Sequence, residues 1–433
     1  MAKAEGTLIF CSPNPIDNIS PRQARELEIF VKENIPIVIV DSMWVNKGKS
    51  RESIFPPVKK RKTKFNDKNI DTYSVKMAII PLYQSGRNSK VLKILSLLQM
   101  FPSLMVYALT LFFTLLYTTK KYNTRVIWCS NAPDLPCTIT GLLKFVLKNR
   151  FLYIYEMREL VPELYCIRFS GNSHCVFYAF LRILEKISYS AADIVIAVSH
   201  SMKKYIIKIY MYKEKKIIVP VYPYPPIPEE LLSIRGGNKL FNQKSIIAIY
   251  GGNILDRIYD IDLLLRSLGE IYPIVKEKFK IMILGKGDAT IIHAVQQTKE
   301  KMPEIIEVSE PLPRNEYYEL LGKIDLCIVP LVLNQLTSIA IPNKLIDCIL
   351  LEKPVITAAL PSTIELSRKF NGILLYKPDS LYSLKRVLLD IVENESTLNT
   401  ISSELKNQRI VFSEAWNKHF YPVVKAIRDL MKS

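Results

Sequence analysis

Short apolar runs alternate along most of this chain with stretches in which apolar residues recur every three or four positions. Runs such as "TLIF", "IVIV" and "RVIWCS" are bounded by turn residues and are too short for a buried helix, so they read as buried strands. The stretch "PRQARELEIFVKEN" has helical spacing, with a proline in its first turn where the missing N–H does no harm. Regular alternation of the two patterns predicts βαβ units built around parallel sheets.

In the first half, strands are predicted at "GTLIF", "IPIVIVDS", residues 77–82, "RVIWCSN", "FLYIYEMREL" and "ADIVIAVS", with further helices near 135–148 and through "FLRILEKISYSA". The proline-rich stretch "VPVYPYPPIPEELL" reads as a semi-rigid connector. The pattern then restarts with strands at "SIIAIYGGNI", "KIMILGKGD", "DLCIVPL", "KPVITAA" and "GILLYK", and helices from about 260, at "RNEYYELLGKI" and from about 381. The expected organisation is a Rossmann-like domain over 1–222, a linker over 223–243, and a second Rossmann-like domain over 244–410. A C-terminal helix over 411–433 is expected to pack back toward the first domain. The fold class is therefore α/β, with two doubly wound domains facing a central cleft. Ligands of such sheets bind outside the carboxyl ends of the strands.

One segment departs from the pattern. No charged residue occurs between Lys93 and Lys120, which is long enough to span a bilayer. Gln99, Pro102 and Ser103 break its first half, leaving 104–117 as the clean apolar run. Candidate strands lie on both sides of it and belong in one sheet, which a single crossing would separate. The expectation is a helix that is buried or grazes a membrane interface, with peripheral attachment preferred to a single-pass span.

Charge sharpens this picture. The 433 residues carry a net +18, and residues 1–230 hold 33 Lys+Arg against 18 Asp+Glu, while the remainder holds 26 against 23. An excess confined to one half points to an anionic partner such as a membrane surface or a lipid diphosphate. Nucleic acid would also attract it, but no aromatic-basic recognition motif accompanies the charge, so no nucleic-acid partner is expected. The run "VKKRKTKF" could add contact to an anionic surface or form a solvated loop. The polar opening "MAKAEG" lacks a signal peptide, which predicts a cytoplasmic location on the inner face of the cell membrane. Seven cysteines without a Cys-x-x-Cys pair and four scattered histidines suggest no zinc site, no disulfide framework and no Ser-His-Asp triad.

Candidate chemistry gathers in the second half. "YGGNILDR" places Gly251 and Gly252 after a strand, where backbone can approach a ligand closely, with Asn253 and Arg257 following. "LGKGD" does the same with Gly285 and Gly287. In "TSIAIPNKLIDCILLEKPVI" a helix starting near Pro342 would put Lys344 and Asp347 on one face, one turn apart. A lysine at a helix N-terminus suits a diphosphate, and a carboxylate one turn on suits a ribose diol. A plain surface ion pair would give the same spacing.

The order "GGNI", "LGKGD", "EPLPRNEYYELLGKIDLCIVPL", "PNKLIDCILLEKPVI", "NGILLY" resembles the C-terminal domain of GT-B glycosyltransferases of family 4. "LYIYEMRELVPEL", "LEKISYSAADIVIAVSHSMKKYI" and "SPRQARELEIFVKENIPIVIV" resemble parts of that family's N-terminal domain. The resemblance implies a retaining transferase that moves a hexose or related sugar from a nucleotide sugar to a glycan acceptor. The donor would bind the second domain, and the acceptor, read here as lipid-linked, the first. N-glycan or surface-polysaccharide assembly is the implied setting.

The family's Glu-x7-Glu signature falls on Ile339 and Asp347, so the ribose ligand is retained as an aspartate and the sugar-facing glutamate is missing. The family's lysine after the glycine strand falls near Tyr259, and its N-terminal histidine is replaced by Arg158. The implied donor set is Gly252, Asn253, Arg257, Gly285, Pro311, Ser338, Ile339, Asn343, Lys344 and Asp347. Arg158, Glu159 and Lys344 are the candidate catalytic groups, and Arg22 is placed on the acceptor side. Front-face transfer lets the leaving diphosphate take the acceptor's proton, and no Asp-x-Asp motif is present. No cofactor and no metal are therefore expected. Two competing readings remain: a catalytically silent subunit of the same fold, motivated by Ile339 and Arg158, and an epimerase using Glu156, Glu159 and Glu163.

Overall fold

The computed structural model describes residues 6–18, 20–46, 57–65, 67–79, 90–131, 134–169, 176–210, 217–222, 246–251, 257–287, 289–394, 398, 400–401, 404–405 and 408–432. The chain divides into two compact units, one holding residues 1–197, 207–221 and 419–433 and the other 198–206 and 222–418.

The first unit is built on one eight-stranded sheet. Its strands are β1 (Thr7–Ser12), β2 (Ile37–Asn46), β3 (Val58–Phe65), β4 (Lys68–Ile79), β5 (Thr124–Ser130), β6 (Leu152–Met157), β7 (Ile194–Ala197) and β8 (Ile217–Pro220), in the order β3-β4-β2-β1-β5-β6-β7-β8. All neighbours are parallel except β3 and β4. Central β1 is apolar on both faces because helices cover both. The helices of this unit are α1 (Pro21–Lys32), α2 (Lys90–Lys121), α3 (Leu135–Val146), α4 (Val161–Phe169) and α5 (Val176–Ala191), while α6 (His200–Tyr210) is divided, its residues up to 206 belonging to the second unit. Ser20 and Gln23 close a capping box at the start of α1.

Crossovers between parallel strands are right-handed. The step from β1 to β2 runs one way across the sheet, and the steps from β4 to β5, β6 and β7 run the other. That puts α1 on one face and α2, α3 and α5 on the opposite face, where α3 packs against both α2 and α5. The C-terminal helix, Gln408–Lys432, covers the α1 face, with Phe420 5.8 Å from Trp128 and 6.1 Å from Phe30 between ring centroids.

Three features of this unit bear on the sequence reading. The run "VKKRKTKF" is an edge strand, β3, hairpinned to β4. Lysine-rich outer positions suit an edge that must not pair with another chain. Helix α2 is continuous through Pro102 and joins two strands of one sheet. Its segment Pro102–Lys121 is long and apolar enough to cross a membrane, with 33% of it buried. Strand β8 takes the first residues of the proline-rich stretch, and the linker over 223–243 lies outside the described residues.

The second unit holds a six-stranded parallel sheet: β9 (Ile246–Gly251), β10 (Phe279–Leu284), β11 (Ile306–Ser309), β12 (Leu326–Val329), β13 (Val355–Ala358) and β14 (Ile373–Tyr376), ordered β11-β10-β9-β12-β13-β14. Its helices are α7 (Ile261–Val275), α8 (Ala289–Lys301), α9 (Arg314–Lys323), α10 (Gln335–Ile339), α11 (Asn343–Leu350), α12 (Pro361–Ser367) and α13 (Leu381–Glu393), and α14 (Gln408–Lys432) is divided, its residues from 419 onward belonging to the first unit. Strand order reverses between β9 and β12, and that switch point opens a crevice at the strands' carboxyl ends.

Cys327 on β12 and Cys348 on α11 are joined as a disulfide. This corrects the expectation of no disulfide. Pairing depends on which helix covers which strand, and cysteine spacing does not report that. Pro342 is the N-cap of α11, one position before the first turn in which the sequence placed it.

Candidate active site

Helix α11 begins beside the switch point, and its first turn carries Lys344. The ammonium donates to the Tyr250 hydroxyl at 3.1 Å and lies over two aromatic rings, 4.3 Å from the centroid of Tyr250 and 3.7 Å from that of Tyr259. Tyr250 is the penultimate residue of β9, so strand and helix close on the same group. No carboxylate lies within ion-pair distance of Lys344 among the described residues. Burial pulls its pKa down to about 7, with Asp347 the opposing influence.

Asp347 sits one turn further along. Its Oδ1 accepts from the Tyr318 hydroxyl at 3.1 Å, and burial raises its pKa to about 6 against the opposing charge of Arg314. Arg314 Nε donates to the same Tyr318 oxygen at 2.8 Å, and its guanidinium stacks 5.1 Å from the ring centroid. Tyr317, the neighbour of Tyr318 on α9, packs against Gly251 so closely that a Cβ there would collide with its ring. Gly251 therefore lets an aromatic side chain reach the end of β9, where the sequence reading expected close approach of a ligand.

The other donor-side candidates scatter. Ser338 lies inside the short helix α10, its amide bonded to the Asn334 carbonyl at 3.0 Å. Ile339 is 8% exposed, and its carbonyl accepts from the Ser199 hydroxyl at 3.0 Å. The position that the resemblance assigns to a sugar-facing carboxylate thus holds a core side chain. Asn343 opens α11 with its side chain exposed. Arg257 is exposed, and its carbonyl accepts from Asn334 Nδ2 at 2.7 Å. Gly285 follows β10 with its amide bonded to Ser309, and Pro311 is exposed after β11. Gly252 and Asn253 lie outside the described residues.

Sequence reasoning missed the tyrosines. The signal available was the pair in "RNEYYELL", together with Tyr259 standing where the family's lysine is expected. It also missed Glu365 on α12, which accepts from the amides of His200 (2.9 Å) and Ser201 (2.7 Å) at the start of α6, and from the Tyr222 hydroxyl (2.5 Å). A carboxylate there balances the helix dipole.

In the first unit, Arg22 is buried, and its Nη2 has no hydrogen-bond partner among the described residues. It pairs with Glu156, bonds Glu26 through Nε at 3.1 Å, and donates through Nη1 to the Val221 carbonyl at 2.8 Å. Burial and the neighbouring Glu156 hold Glu26 well above the ordinary carboxyl range. Glu156 is also buried, but Arg22 and Arg158 outweigh that effect and keep its carboxyl below the ordinary value. Asn131 Oδ1 accepts from the amides of Arg158 (2.8 Å) and Glu159 (3.2 Å), fixing the turn after β6. Neither the Arg158 nor the Glu159 side chain makes a hydrogen bond or ion pair among the described residues. Glu163 is held by Arg182.

No protein-family model matches the chain. It is 23% identical over 308 residues to a chitobiosyldiphosphodolichol beta-mannosyltransferase of Candida albicans, covering 68% of this chain and 66% of that protein. A protein of the same description from Debaryomyces hansenii is 24% identical over 335 residues, covering 71% and 70%. The chain thus spans about two thirds of the length of these relatives. Among solved structures, sucrose-phosphate synthase from Thermosynechococcus elongatus superposes with a TM-score of 0.64 at 14% identity, covering 98% of this chain and 99% of that one. The OtsA apo structure gives 0.68 at 11% identity, covering 97% and 99%. Anabaena HepE in complex with UDP and glucose gives 0.62 at 12% identity, covering 97% and 100%. With its two parallel-sheet units and these neighbours, the chain has the GT-B glycosyltransferase fold.

Proposed function

We propose that this protein is a nucleotide-sugar-dependent hexosyltransferase that extends a lipid-linked glycan, with the second unit binding the donor. The observation that carries the reading is the pair Lys344 and Asp347 at the switch point of that unit's sheet. Among the described residues Lys344 has no carboxylate within ion-pair distance, and a donor diphosphate would supply a counter-ion. Binding an anion favours the ammonium, so the lysine takes up its proton as the donor arrives and neutralises the leaving diphosphate. Asp347, ionised near neutral pH, accepts the ribose hydroxyls. Lys344 and the amides at the start of α11 can carry the electrostatic work without a metal, and activity in the presence of a chelator is expected. The relatives named for a diphosphodolichol-linked glycan support the lipid-linked acceptor. The basic first half fits a lipid diphosphate at an anionic membrane surface on the cytoplasmic side.

Stereochemistry divides the reading. The resemblance to family 4 supports retention, in which the leaving diphosphate takes the acceptor's proton. The word "beta" in the relatives' names favours inversion of an α-configured donor, which needs a separate base, and Glu159 is the candidate. The burial of Glu156 and Glu163 in arginine-paired networks speaks against an epimerase. The test is a thermal-shift and transfer screen of the full chain with a panel of nucleoside diphosphate sugars and a chitobiosyl-diphospho-lipid acceptor, the product anomer being read by NMR. One nucleoside diphosphate should stabilise the protein and its sugar should be transferred. No shift, hydrolysis or transfer with any donor would overturn the reading in favour of a silent subunit.

A further inference from the structure

The helical layer of the first unit carries an apolar surface that its neighbours leave uncovered. On α2, Leu109, Phe113 and Tyr117 form an i, i+4, i+8 stripe, each more than half exposed. The opposite stripe of the same helix, Tyr107, Leu111 and Leu115, is buried. Phe145 on α3 and Ile183 on α5 are also more than half exposed, and α3 packs between α2 and α5, so the three helices form one face. An exposed apolar patch of this extent marks an interaction site.

We propose that this face lies on an anionic lipid bilayer, with α2, α3 and α5 dipping side chains into the interface and none of them crossing it. Charge selects the occupant. The fully exposed charged side chains described on these helices are Lys120, Lys121 and Lys186, and Lys148 and Arg150 follow α3. The acid on α5, Glu185, is buried. A rim of one sign suits anionic headgroups and opposes pairing with a second copy of the same face.

Hydrogen bonding points the same way. The hydroxyl of Thr110, on the partly exposed flank of α2, donates to the Val106 carbonyl four residues back at 2.7 Å, so it needs no water. At the end of α2, the Lys121 ammonium lies 5.3 Å from the Tyr117 ring centroid and 5.2 Å from that of Tyr122. Aromatic rings and a cation gathered at a helix end suit the level of the headgroups. Crossing is excluded by the fold, since α2 joins two strands of one sheet and buries its inner stripe.

The inference deepens the lipid-linked reading above by naming the surface, and its test needs neither donor nor acceptor, so the two can fail separately. The full chain would be sedimented with phosphatidylcholine vesicles, with and without phosphatidylglycerol, at low and high salt. Binding to the anionic vesicles is expected, weakened by salt. Phe113→Glu with Phe145→Glu should lower the partition at least about ten-fold, and Lys120→Glu with Lys121→Glu should remove the preference for anionic lipid. Melting temperatures should stay near that of the unchanged protein. Wild-type protein left in the supernatant, glutamate variants that bind like wild type, or equal binding to neutral vesicles would overturn the proposal. So would a lipid-free dimer that Phe113→Glu dissociates.

Discussion

Both sheets carry charged groups near the carboxyl ends of their strands, but the two sites treat charge in opposite ways. In the first unit, Arg22, Glu26 and Glu156 are all buried and answer one another, with the Val221 carbonyl taking a further guanidinium proton. In the second, Lys344 has two aromatic faces and one phenol, and Asp347 has one phenol, with no ion pair for either among the described residues. Buried charges that satisfy each other hold a fold together. Charged groups held without an ion-pair partner are candidates for ligand binding. The comparison supports a structural role for the first cluster and sharpens the proposal that the second binds the donor.

The sharpest way to break it is to remove a cation from each. Arg22→Met leaves Glu156 buried without its partner and should cost about 3–5 kcal/mol of stability, read by denaturant unfolding. Lys344→Met removes an uncompensated charge from an aromatic setting, so the melting temperature should hold or rise. Its transfer rate should nonetheless fall by about 10²–10³-fold, the usual loss for one group stabilising a developing anion. A large loss of stability in Lys344→Met with activity retained would reverse the two assignments.

The pH dependence of nucleoside diphosphate binding is a finer probe. The diphosphate needs the Lys344 ammonium, present in the free protein below about pH 7, so affinity should fall by up to about ten-fold per unit above that. The ribose needs the Asp347 carboxylate, so affinity should also fall below about pH 6. Isothermal titration should show an optimum between those values, with proton uptake on binding at its alkaline side. Tyr318→Phe removes a bond that favours the carboxylate. That should move the acid limb to higher pH and leave the alkaline limb in place, at a cost of about 1 kcal/mol in stability. An unmoved acid limb would detach Tyr318 from Asp347.

Local patterns were readable in the sequence, and contacts between distant segments were not. Lys344 and Asp347 were found because one turn of helix separates them, a distance set by helical geometry alone. Tyr250, Tyr259 and Tyr318 were not found as their partners, because each comes from a different element. The β3–β4 hairpin was half missed: "VKKRKTKF" has charged residues where a buried strand would show apolar ones, since it is an edge. Ile339 stood out as a lost glutamate, and the fold shows why an apolar residue suits the place. The Ser199 hydroxyl bonds the Ile339 carbonyl, and the Ile339 side chain is buried. The Cys327–Cys348 bond was invisible for the same reason as the tyrosines.

By itself, the sequence determined two α/β repeats, a basic first half, an apolar α2 confined to one side of its sheet, and a lysine and carboxylate on one helical turn. Each follows from periodicity or composition, which short-range geometry converts directly into structure. Only the tertiary structure decided that Arg22 pairs with buried carboxylates while Lys344 has no ion-pair partner among the described residues. It also decided that exposed stripes on three separate helices form one apolar face. Both depend on which distant residues converge, and packing of whole elements sets that.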